Sequence, residues 1–143
     1  MKKRQVVITG AGACGLMAAI MAARNGAAVT VLEQNEKPGK KICATGNGRC
    51  NFSNLARPDD AYRGEHPEFV EDALREFSVE DTIEFFKEIG IYPLNRNGYL
   101  YPRSNQAQSV VDVLCMEAAS LGVKIKTNEQ VTEIKTGTNE KNF

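Results

Sequence analysis

The sequence predicts an α/β fold in which a parallel sheet is wound through a βαβ unit near the N-terminus. Three observations carry that expectation. Gln5-Val6-Val7-Ile8-Thr9 and Ala28-Val29-Thr30-Val31-Leu32 are short apolar runs rich in β-branched residues, the pattern of strands buried on both faces. Residues 16–25 between them are dense in Ala, Met and Leu, which favour a helix. A glycine-rich turn, Gly10-Ala11-Gly12-Ala13-Cys14-Gly15, joins the first run to that helix. The crossover of such a unit should be right-handed.

Composition narrows the class further. The 143 residues suit one domain, and 18 Lys+Arg balance 18 Asp+Glu to a formal net charge of zero. That argues against nucleic acid or an anionic membrane as partner, because both reward a basic surface. With 42% hydrophobic and 25% charged residues the chain can bury a core. Residues 6–23 carry no charge and follow a basic start, which imitates a signal peptide or a short membrane span. Thr9, Gly10, Gly12 and Gly15 interrupt the stretch, and the βαβ unit explains it better. Cys14, Cys43, Cys50 and Cys115 include no pair at the two-residue gap of zinc or thioredoxin-type sites, so a reducing cytoplasm is expected. His66, a single imidazole, gives neither a metal site nor a nucleophile–histidine pair.

The remaining elements follow in order. Gly26 ends the first helix, where a left-handed conformation costs glycine little. Residues 34–60 show no helical or strand period and carry turn chemistry at Pro38-Gly39, Gly46, Asn47, Gly48, Asn51 and Asn54. So long a loop in a compact domain points to function, and it holds Lys40, Lys41, Arg49 and Asn51. Residues 67–77 set Phe69, Val70, Ala73, Leu74 and Phe77 on one helical face. Ser78 with Asp81 resembles a capping box, opening a second helix through Ile83, Phe86 and Ile89 to Gly90. Residues 91–94 and 99–101 flank Asn95-Arg96-Asn97-Gly98, a hairpin signal. A helix over 107–121 turns Val110, Val113, Leu114 and Ala118 inward, and Gly122 closes it. Residues 123–127 read as a strand and 131–135 as another, with 136–143 a polar tail.

Gly10-x-Gly12-x-x-Gly15 follows a strand and opens a helix, and Glu33 stands 18 residues beyond Gly15 at the end of the next strand. That is the context a dinucleotide fingerprint of Rossmann type requires. Gly10 permits the tight turn, Gly12 lets backbone approach a pyrophosphate, and Gly15 seats the helix close to the strand. The helix N-terminus at Ala13 and Cys14 offers unpaired amides and the positive end of its dipole. Glu33 would accept from the adenosine ribose hydroxyls and repel a 2′-phosphate, which disfavours NADP at this site. A P-loop is excluded, because Gly39-Lys40-Lys41 lacks both the preceding glycine spacing and a following Ser or Thr. Spacing does not separate FAD from NAD. An NAD-dependent dehydrogenase and a nucleotide-binding module without turnover both remain compatible with the residues.

The next segment adds a resemblance. Gly39-Lys40-Lys41, followed by Thr45-Gly46-Asn47-Gly48-Arg49-Cys50-Asn51, resembles the start of the BaiN-like, or aminoacetone-oxidase-like, flavoproteins of the two-dinucleotide-binding class. Gly98-Tyr99-Leu100-Tyr101-Pro102, Ser109-Val110-Val111-Asp112 and Leu121-Gly122-Val123 are similar to further family segments, so the likeness spans nearly the whole chain. It implies a Rossmann-type FAD/NAD(P)-binding fold over residues 1–143. Its parts would be a fingerprint unit over 5–33, a cofactor loop over 34–60, helices and a hairpin over 67–101, and a helix with strands over 107–135. It further implies FAD with its ADP half on Gly10 to Gly15 and Glu33, Gln34 and Gly39 beside it, and Lys40 or Lys41 near the ribose or phosphates. Thr45 would start the loop near the flavin, where Gly48, Arg49 and Asn51 form its environment, and a backbone group near Val131 would meet the adenine. Electrons would pass through the isoalloxazine, with NAD(P)H as donor and a small molecule as substrate. Cys43 and Cys50 do not have the four-residue gap of flavin disulfide reductases. Family members are longer, which implies that the chain is an N-terminal portion with an incomplete parallel sheet. Its 6–9 strand would then lack one neighbour and leave an apolar edge open to self-association, and the fragment alone would hold FAD weakly or only by its ADP half.

Overall fold

In a computed structural model the described residues are 3–55 and 61–135. Residues 56–60 of the predicted loop and the predicted tail 136–143 lie outside them. Strand β1 (Gln5–Thr9), helix α1 (Ala13–Arg24) and strand β2 (Ala28–Leu32) form the expected parallel βαβ unit, with Val6 opposite Val29 and Ile8 opposite Val31. Gly26 ends α1 at φ +83°. Two short elements then break what reads as an aperiodic loop: helix α2 (Lys40–Ala44), followed by a turn over Thr45–Gly48 with Gly46 and Asn47 left-handed, and strand β3 (Ser53–Asn54). Elements of five and two residues are too short to display a period, which is why the sequence conceals them.

Helix α3 (Phe69–Glu76) and helix α4 (Val79–Glu88) follow. The predicted box at the start of α4 is present: Ser78 Oγ accepts from the Asp81 amide, and Asp81 accepts from the Ser78 amide. The hairpin of β4 (Pro93–Arg96) and β5 (Tyr99–Pro102) sits two residues later in its first strand than predicted. Asn97 and Gly98 turn it at φ 53° and 92°, the two left-handed residues that match strand twist. β3 pairs with β5, so the hairpin belongs to a three-stranded antiparallel sheet. Helix α5 (Ala107–Ser120) and strand β6 (Lys124–Lys126) complete the main sheet, in the order β1-β2-β6. Residues 131–135 are not a strand. Their alternation is real, but no neighbouring strand accepts their backbone groups among the described residues, and all five are exposed.

The core lies on one face of the main sheet. Leu16 and Ile20 of α1, Val29 and Val31 of β2, and Val110, Leu114 and Ala118 of α5 are buried together. In α5 Val111 is buried and Val113 only half-buried, a small rotation from the predicted face. Arg24 locks this layer: its guanidinium donates to Glu117 at 2.7 Å and Glu88 at 3.1 Å and stands over the Phe85 ring at 5.5 Å.

Two apolar faces are left exposed among the described residues. β1 is not buried on both faces, since Val7 is 65% exposed. Val6 and Ile8 turn toward the helices, while nothing among the described residues covers the opposite face. The apolar face of α3 is likewise exposed among the described residues: Phe69 is 80% exposed, and none of the helix is fully buried. An amphipathic pattern sets which residues share a face but does not supply the surface that covers it.

Candidate functional site

The glycine turn is built by close approach. Gly10 takes φ +89° and donates its amide to Leu32 O at 2.7 Å, which ties the turn to the end of β2. A Cβ on Gly15 would lie 1.9 Å from Gly10 O, so α1 starts hard against the turn. Around Gly12 the situation is the opposite: a Cβ there would meet nothing within 4 Å. Gly12 is the N-cap of α1 and offers no side-chain cap, and the first turn holds no acidic residue. The amides of Ala13, Cys14 and Gly15 have no protein acceptor among the described residues. A helix N-terminus left uncapped beneath open space is an anion site in waiting.

Glu33 borders it, buried although charged. Its Oε2 accepts from the Ala11 amide at 2.7 Å, and its Oε1 from the Asn35 amide at 2.8 Å and the Asn35 side chain. Burial alone would push its carboxyl up. The Asn35 and Ala11 amides, the Asn35 side chain and the charge of Lys40 outweigh that and hold it below the usual carboxylate range. It is therefore ionised at neutral pH, and Oε2 keeps lone-pair capacity for a further donor.

These groups open onto a cleft of about 1160 Å³. Of the predicted site residues, Gly10, Gly12, Ala13, Cys14, Gly15, Glu33, Gln34, Gly39, Lys40, Lys41, Thr45, Asn51 and Val131 line it. Gly48 and Arg49 do not. Gly39 reaches the cleft because it is a glycine: at φ +73° its amide donates to Ala11 O at 2.8 Å, and a Cβ would lie 2.5 Å from Val111 Cγ2. Asn51 also has a structural task, its side-chain Nδ2 donating to Ser53 O at 2.9 Å and Leu100 O at 3.0 Å to tie β3 to β5. Val131 arrives through the segment after β6, where the Glu129 amide donates to Glu33 O at 2.9 Å.

Sequence reasoning missed Asn35, Glu129 and the aromatic wall of Phe52, Phe85 and Phe86. The phenylalanines pack on one another, with centroids 4.7 Å apart for Phe52 and Phe86 and 5.5 Å for Phe85 and Phe86. Only Asn35 left a local signal, an Asn two residues after a strand-end acid. The four cysteines are free thiols. Burial pushes the Cys50 thiol up, Cys43 adds to the rise, and a hydrogen bond with Thr45 opposes it, so Cys50 stays protonated. No helix among the described residues is long and apolar enough to cross a membrane.

Parallel strands joined through a glycine turn and a helix, with an acid ending the second strand, define a Rossmann-type dinucleotide-binding fold. The chain belongs to the family of the HI0933-like protein Rossmann domain, whose model matches residues 4–143. It is 48% identical over 133 residues to the 3-dehydro-bile acid delta(4,6)-reductase of Clostridium scindens, covering 92% of this chain and 32% of the reductase. It is 33% identical over 135 residues to the ribosomal RNA dihydrouridine synthase of Escherichia coli, covering 94% of this chain and 34% of that protein. The chain thus spans about a third of the length of the curated relatives it matches. Among solved structures, a 3-ketosteroid-delta4-(5alpha)-dehydrogenase from Rhodococcus jostii superposes with a TM-score of 0.62 at 18% identity, over 90% of this chain and 38% of its own. A flavocytochrome c3 fumarate reductase gives 0.60 at 17%, over 89% and 27%. At that identity they share the fold.

Proposed function

We propose that these residues form the FAD-binding portion of a flavin-dependent oxidoreductase that acts on a small molecule in the cytoplasm, with NAD(P)H as electron donor. The observation that carries this reading is the uncapped N-terminus of α1 beneath the open space at Gly12, with ionised Glu33 at its flank. The residues fit the ADP half of FAD: amides of the α1 N-terminus for the diphosphate, Glu33 for the ribose, and backbone near Val131 for the adenine. Lys40 and Lys41 add positive charge on the same rim, and the 45–51 segment with Phe52 receives the flavin end. When bound, the isoalloxazine supplies the electron transfer, and the protein orients it and shields it from water. The carboxylate of Glu33 disfavours a 2′-phosphate here, so NADPH would deliver its electrons from elsewhere. Support for redox chemistry comes from the relative named as a reductase, and four unpaired thiols suit a reducing compartment.

The test is a pair of titrations of the chain with FAD and with NADH, followed by flavin fluorescence and absorbance between roughly 350 and 500 nm. FAD and ADP should both bind, and NADH more weakly than FAD. Tighter binding of NADH points instead to a nicotinamide-dependent dehydrogenase, and binding of ADP with no gain from the flavin marks a nucleotide module.

Self-association through β1 belongs to the same proposal. Gly10 N–H and Arg4 C=O engage β2, so alternation turns the backbone groups of Gln5, Val7 and Thr9 to the open edge. An unpaired apolar edge recruits another strand. Sedimentation should find concentration-dependent dimers of the chain, and Val7→Lys should shift them to monomer. A monomer at all concentrations would refute edge pairing.

A further inference from the structure

Tyr101 collects two guanidinium groups. Arg49 Cζ lies 5.7 Å from its ring centroid and Arg96 Cζ 5.8 Å. They arrive by separate routes. Arg96 is on β4, where the register pairs Leu94 with Tyr101 and Arg96 with Tyr99, so Arg96 is the diagonal neighbour of Tyr101 on one face of the hairpin. Arg49 comes from the turn after α2. Its Nε donates to Gly46 O at 3.2 Å, and a Cβ on Gly46 would stand 3.3 Å from Tyr101 Cε1. A side chain at Gly46 would also stand 3.0 Å from Asn51 N, so the turn is packed between that backbone and the ring.

Two like charges brought to one ring repel each other, and the ring's negative face attracts both. A guanidinium drawn to a ring by its charge still has N–H donors to offer a planar acceptor. Among the described residues Arg49 donates only through Nε, and no carboxylate lies within ion-pair distance of either group. The cluster stands beside the cleft: Thr45, Cys50 and Asn51 of the Arg49 segment line it, whereas Arg49, Arg96 and Tyr101 do not. The chain as a whole has no net charge, so this is a local cationic spot, suited to a single small oxyanion and not to a nucleic-acid backbone.

We infer that Arg49 and Arg96, held by Tyr101, form an oxyanion-binding site beside the cleft that takes a carboxylate or phosphate group of the substrate. Its assignment to a substrate rests on the flavoenzyme reading; the anion site itself does not. The test follows the arginine Nε–H resonances of the chain by NMR during titration with butyrate, with inorganic phosphate, and with butyramide and chloride at matched ionic strength. Butyrate or phosphate should shift the Arg49 and Arg96 signals saturably, and whichever binds more tightly names the group. Arg96→Gln should weaken that probe at least tenfold while FAD affinity, measured in parallel, stays within twofold, and Arg96→Lys should fall between. Equal shifts with butyramide or chloride, no saturation, or unchanged probe binding in Arg96→Gln would overturn the site. Loss of FAD binding in the parent chain would instead count against the flavoenzyme reading alone.

Discussion

Gly15→Ala should destabilise the fold by about 3 kcal/mol, whereas Gly12→Ala, three residues away in the same motif, should cost less than about 1 kcal/mol. The added methyl at Gly15 would lie 1.9 Å from Gly10 O and 3.1 Å from Gly10 C. Both are backbone atoms, so relief requires α1 to lift off the turn. That is a large share of the stability of an ordinary domain, roughly 5–15 kcal/mol. At Gly12 the methyl meets no protein atom within 4 Å, and the φ of −85° suits any residue. What it does enter is the open space that the proposed function gives to a diphosphate. Gly12→Ala should therefore keep its urea midpoint near that of the parent and lose at least tenfold in FAD affinity, measured by flavin fluorescence. Equal loss of stability in both variants would mean that the motif serves packing only.

Glu33→Gln carries the second large effect. The carboxylate accepts three hydrogen bonds from Ala11 and Asn35, and a carboxamide turns one acceptor into a donor facing donors. A buried N–H left without a partner costs about 1–3 kcal/mol. The pH dependence gives a sharper signature. Because the folded state holds the Glu33 pKa below its unfolded value, its contribution is complete above the unfolded pKa and is lost as pH falls through the folded one. The stability difference between parent and Glu33→Gln should therefore be constant at neutral pH and shrink from about pH 5 downward. Asp81, held low first by the Ser78 amide and then by the Ser78 hydroxyl, titrates in the same region but cancels in that difference. Denaturant melts of both proteins across that range check this, and a difference that grows toward acid would contradict it.

Much of the fold was legible because its signals are local. The β-branched runs, the glycine turn, the Ser78–Asp81 box and the Asn97-Gly98 turn each state their geometry within a few residues. The part of the cleft formed by Gly10, Gly12, Gly15 and Glu33 was legible for the same reason, since they sit within one βαβ unit. Illegible features depend on residues distant in sequence. β3 exists only because Leu100 and Tyr99 lie beside it, and residues 131–135 fail as a strand because no neighbour does. Asn35 and Glu129 enter the cleft through the path of the chain around Glu33, and the phenylalanine wall through the packing of α4 against β3.

By itself the sequence determined the βαβ unit, its uncapped helix end and the acid beside it, because turn sterics and strand and helix periods act over one or two turns of chain. The tertiary structure alone decided that Glu33 is buried and triply bonded, that β1 and α3 keep an uncovered face, and that Arg49 and Arg96 meet at Tyr101. Burial, strand partners and converging charges are properties of surfaces brought together from separate parts of the chain. No local pattern specifies which surfaces those are.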